Sequence, residues 1–73
     1  MTGHEFARDV AEALGVEPLS AADADAVLAM AGTAAHASER LAAPLSTYLA
    51  GRSGRSLEDV RAAIDRVAAT AAS

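Results

Sequence analysis

Phe6, Val10, Ala13 and Leu14 recur at i, i+4, i+7 and i+8, the spacing that gathers apolar side chains on one face of a helix. Thr2-Gly3-His4-Glu5 precedes them with capping-box spacing, and Gly15 supplies a stop. The pattern predicts a first helix over about residues 3–14. Val16-Glu17-Pro18-Leu19 then reads as a connector, because a proline biases the residue before it away from helical backbone. Ser20, with Asp23 three residues on, opens a second helix predicted over about 21–40. Ala24, Val27, Ala31, Ala34, Ala35 and Ser38 share one of its faces, with Leu28 at the edge. Asp25, Gly32, His36, Glu39 and Arg40 fall on the other.

Pro44 suits the first turn of a short third helix, about 44–50, with Leu45 and Leu49 toward the core and Tyr48 beside them. Gly51-Arg52-Ser53-Gly54-Arg55 reads as a flexible turn. Ser56-Leu57-Glu58-Asp59 then repeats the N-terminal capping spacing and starts a fourth helix over about 57–71. Its apolar stripe is Leu57, Val60, Ile64, Val67, Ala68 and Ala71, and Glu58, Arg61 and Asp65 form a charge ladder. No strand period interrupts the series. The expectation is one all-α domain over residues 1–73, a compact set of four helices.

Size sharpens this picture. A chain of 73 residues lies near the lower limit for independent folding, so its core must be economical. The candidate core is Phe6, Val10, Leu14, Val16, Leu19, Val27, Leu28, Leu41, Leu45, Leu49, Leu57, Val60, Ile64 and Val67. Ordering entropy consumes nearly all the gain from burying such a set. A modestly stable monomer is expected, with dimerisation a natural way to gain more.

Charge and composition exclude several functions. A net charge of −4 opposes binding to phosphate backbones, and one Tyr, one Phe and no Trp leave little surface for stacking on bases. Without Cys there are no disulfides and no thiolate metal sites. No charge-free apolar run approaches a membrane span, and Glu5, Arg8, Asp9 and Glu12 interrupt anything resembling a signal peptide. A cytoplasmic protein is the plain expectation.

Candidate chemistry concentrates between His36 and Ser56. His36 and Glu39 stand at the i, i+3 spacing of bundle-core metal sites, but no second His–Glu pair exists, so no metal is expected. Gly32, one turn before His36, costs about 1 kcal/mol relative to Ala in a helix and suggests a close approach there. A neighbouring segment of the chain accounts for such an approach, and so does a docking partner. In the second case Gly32, His36, Glu39 and Arg40, with Ser46 and Thr47 nearby, form a protein-binding face.

Arg52, Ser53, Arg55 and Ser56 feed a helix N-terminus and make a candidate anion site, although Glu58 and Asp59 already place negative charge in that turn. Tyr48 marks a third option, an apolar edge for self-association, so the chain is expected as a monomer or weak homodimer. Ser46, Thr47 and Ser53 have no histidine and orienting acid at a spacing that would activate them, so no catalytic residue is assigned. Acidic four-helix carrier proteins match the size and charge, but they need an Asp-Ser attachment dipeptide that this chain lacks.

Ala13-Leu14-Gly15, His36-Ala37-Ser38-Glu39-Arg40 and Ala43-Pro44-Leu45-Ser46-Thr47-Tyr48-Leu49-Ala50-Gly51 together resemble a small actinobacterial helical domain family of unknown function. Ser46 and Tyr48 stand where that family's pattern has Thr and Phe. The resemblance spans nearly the whole chain. Its members occur free-standing or C-terminal to molybdenum-cofactor guanylyltransferase domains, which implies a link with molybdopterin-guanine dinucleotide assembly. It implies no catalytic residues and no cofactor, and the guanylyltransferase's nucleotide-binding loop is missing here. The reading is a non-catalytic protein-binding module, with a guanylyltransferase as possible partner.

Overall fold

The computed structural model describes residues 1–72. Four helices follow one another: α1 (Gly3–Leu14), α2 (Ala21–Ala37), α3 (Ala42–Ser53) and α4 (Leu57–Ala72). The fold is all-α, as the periodicity predicts.

Local chemistry accounts for most of the helix ends. The Thr2 hydroxyl accepts from the Glu5 amide at 3.1 Å, and the Glu5 carboxylate accepts from the Thr2 amide at 3.0 Å. This reciprocal pair satisfies two amides that have no partner inside the helix. At the other end Gly15 adopts φ 71°, so its amide donates to the Glu12 carbonyl and that of Val16 to the Ala11 carbonyl. That double closure needs a left-handed residue, which glycine supplies without a Cβ penalty. Ser20 caps α2 through the Asp23 amide, and Ser56 caps α4 through the Asp59 amide, each at 3.1 Å.

Two boundaries differ from the sequence expectation. α2 stops at Ala37 rather than near Arg40, with Ser38 at φ −132°, ψ −96° and a tight turn through Glu39–Ala42. Glu39 and Arg40 are good helix formers, so local propensity favours continuation. The reversal instead lets α3 fold back along α2. α3 in turn runs from Ala42 to Ser53, so Gly51, Arg52 and Ser53 are helical rather than a flexible turn. Gly54, at φ 68°, is the residue that ends it. Pro44 occupies the first turn, as its missing N–H allows.

α2 packs against both α3 and α4, while α3 and α4 touch each other less; among the described residues no other helix packs on α1. Met30 is the most deeply buried side chain, joined in the interior by Ala34 and Val60. Ala11 is buried separately on α1. The expected core is therefore largely corrected. Of its fourteen members only Val60 is buried, and Val27, Leu57 and Ile64 are half-buried. Phe6, Val10, Leu14, Val16, Leu19, Leu28, Leu41, Leu45, Leu49 and Val67 are exposed.

The physical reason is the alanine content. Small side chains let α2 meet two neighbours over Met30 and Ala34, but three such helices enclose little interior space for large residues beyond Met30 and Val60. The molecule measures 40 × 25 × 18 Å with a radius of gyration of 12.8 Å, against about 11 Å for a compact domain of this length. α1 accounts for the elongation, since it lies at the N-terminal end of α2 without packing along any helix.

Candidate functional site

The structure disperses the face expected from Gly32 to Arg40. His36 is exposed in the last turn of α2, whereas Glu39 and Arg40 lie beyond the helix end, so the three do not share one helical face. Nothing stands within 4 Å of where a Gly32 Cβ would sit, which removes the close approach that its glycine suggested. Thr47 Oγ1 donates to the carbonyls of Ala43 and Pro44 at 3.0 and 3.1 Å, so this hydroxyl is engaged within α3.

The arginine segment is similarly occupied by local bonds. Ser53 Oγ donates to the Ala50 carbonyl at 2.7 Å and accepts from the Arg55 amide at 3.2 Å. Ser56 Oγ takes the Asp59 amide. These are the hydroxyls and amides that an anion would need, and Glu58 and Asp59 add negative charge in the same turn. Arg52 ends α3, and Arg55 points its side of the turn toward a groove.

That groove is a concavity shared by the three packed helices. It runs where α2, α3 and α4 meet, with a volume of about 400 Å³. Ala34, Ala37, Ala50, Ala63 and Ala68 give it a shallow, small-residue floor. Leu49 and Val67 stand along it while remaining 59 % and 69 % exposed. Ser46, Ser53 and Arg55 supply its polar margin, so three of the sequence-derived candidates converge here, although Gly32, His36 and Arg40 do not. A second hollow, about 600 Å³, lies between α1, the connector and the first turns of α2, where His4, Arg8, Glu17 and Asp25 make it more polar.

Sequence reasoning missed the groove because its floor is alanine. Alanine fits any face of a helix, and an alanine-rich helix such as α2 shows no sharp apolar stripe to orient it. The stripe of α4, with Ile64, Val67, Ala68 and Ala71, was the usable signal, since the same residues line the groove.

Among the described residues no three His, Cys, Asp or Glu side chains gather as a metal site, and no helix is long and apolar enough to cross a membrane. Fold and surface define a small all-α domain with an open apolar groove. Residues 1–73 match DUF6457, a domain family of unknown function, and the chain belongs to that family. No curated protein and no solved structure matches it.

Proposed function

We propose that this domain is a non-catalytic protein-binding module whose α2–α3–α4 groove receives an amphipathic helix. The observation that carries the reading is the exposure of Leu49 and Val67 beside an alanine floor. Large apolar side chains left in water along a preformed trough are the requirement of helix-in-groove recognition. Ser46, Ser53 and Arg55 at the margin give a docking helix polar anchors, while His36 in the last turn of α2 and Glu39 and Arg40 just beyond it lie on the surface outside the groove.

The resemblance read from the sequence makes a molybdenum-cofactor guanylyltransferase the first candidate for the partner. The domain would then act as an accessory to guanine dinucleotide attachment rather than as its catalyst.

Affinity capture from lysate of the native host tests this reading, with wild type compared against Leu49→Glu/Val67→Glu. Both positions are mostly exposed, so the double variant keeps its helicity by circular dichroism. A protein held by wild type and released by the variant supports groove recognition, and a guanylyltransferase among such proteins supports the pathway. Equal capture by both would refute the groove as the binding surface.

A further inference from the structure

The accessible surface is 5575 Å², whereas a compact monomer of 7.3 kDa exposes roughly 4,200 Å². The excess is about 1,400 Å² per chain, more than the ~800 Å² that each partner contributes to a standard interface. Two chains losing that excess would bury about 2,800 Å² together, within the range of obligate homodimers.

Its distribution is specific. α1 is strongly amphipathic, and Phe6, Val10 and Leu14 form one stripe along it; Val10 and Leu14 border the hollow toward the connector and the first turns of α2, yet Phe6 remains 63 % and Leu14 71 % exposed. Among the described residues no other helix packs on α1. At 12 residues it is about 18 Å long. The groove offers the converse surface, small residues where α1 has large ones.

Charge is complementary as well. Residues 1–35 carry six acids against one arginine, and residues 36–73 carry four acids against five arginines. α1 belongs to the acidic half, and most of the groove, including Arg55, belongs to the weakly basic half.

We infer that a second copy of this chain occupies the groove, each copy seating its α1 stripe between α2, α3 and α4 of the other. The inference rests on the groove being a helix-binding site, as proposed above, and names its occupant. Reciprocal exchange makes the contact isologous, so the assembly closes as a two-fold dimer rather than growing into a filament. The connector Gly15–Ser20 joins α1 to the N-terminal end of α2, while the groove takes in Ala34, Ala37 and Ser38 near the other end. Exchange between copies therefore lets α1 reach a groove without leaving its own end of α2.

Sedimentation equilibrium of the full chain from about 1 to about 500 µM tests this, a range that extends above the micromolar affinities at the weak end of standard interfaces. Wild type is expected as a dimer of twice 7.3 kDa. Phe6→Glu/Leu14→Glu and Leu49→Glu/Val67→Glu should each weaken association by about 100-fold or more. A 1:1 mixture of the two should recover a heterodimer, because one intact α1 then meets one intact groove. Tyr48→Glu, outside the groove, should leave the wild-type dimer in place.

A wild-type monomer at the highest concentration overturns the inference, α1 closing on its own chain being one way to reach it. So does a dimer that survives the α1 substitutions, one that is lost with Tyr48→Glu alone, or a mixture that stays monomeric. A monomer whose capture of a host protein still depends on Leu49 and Val67 leaves the binding-module reading standing without the second copy. A dimer with no groove-dependent capture does the reverse.

Discussion

Glycine has two distinct uses in this chain, and substitution separates them. Gly32 and Gly51 lie inside α2 and α3, with open space where a Cβ would project. Each forfeits about 1 kcal/mol of helix propensity relative to Ala without a packing reason for it. Gly32→Ala and Gly51→Ala should therefore each raise the melting temperature, by roughly 4–8 °C for a domain of this size. Gly15 also has open space around it, but its φ of 71° makes any Cβ strained. Gly15→Ala should lower stability by about 1–2 kcal/mol, read from chemical denaturation. A stabilised Gly15→Ala would contradict the left-handed closure of α1.

Glu5 offers a second residue-level test. The Thr2 backbone amide, and then its hydroxyl, hold the carboxyl below its ordinary value of 4.5. A group whose folded pKa is depressed contributes stability above its unfolded pKa and loses it as pH falls through the folded one. Acidification below the ordinary glutamate range should thus fray the first turn of α1 while α2 to α4 persist. Carboxyl-carbon NMR titration of Glu5 should give a midpoint below the ordinary glutamate range. A Glu5 midpoint inside that ordinary range would mean that the capping box does not form in solution.

At the scale of elements, four helices and the capping residues Thr2, Gly15, Ser20 and Ser56 are legible in the sequence, because end signals are local chemistry. The end of α2 is not, since Ser38 carries weak information and the fold-back of α3 decides the matter. Gly51-Arg52-Ser53 read as a loop on composition, yet those residues complete α3, with Gly54 as its left-handed stop. Of the groove, Ser46 is legible only as a neighbour of the His36 face, and Ser53 and Arg55 only as an anion cradle at a helix N-terminus. The groove itself was hidden, because alanine periodicity does not say which face a helix buries. The same blindness made Leu45 and Leu49 look interior, when α3 presents both to solvent.

At the scale of the whole molecule, the balance of large and small apolar residues is inverted relative to a simple core. Met30, Ala34 and Val60 hold α2, α3 and α4 together, while Phe6, Leu14, Leu49 and Val67 remain in water. Single truncations of the exposed four should cost the monomer about 0.5 kcal/mol or less, against 2–5 kcal/mol for Met30→Ala. Denaturant titration at low protein concentration measures both. In the proposed dimer these four are the residues that the second copy covers.

Hydrogen exchange of the full wild-type chain, followed by mass spectrometry at about 1 and 200 µM, tests that claim most directly, because exchange reads local opening segment by segment. At low concentration α1 should exchange fast, lacking any helix packed on it. At high concentration protection should rise together in α1 and in the groove segments around Leu49 and Val67, with the α2 amides near Met30 little changed. Concentration-independent exchange in α1, or protection that rises around Tyr48 while α1 stays open, would contradict the account.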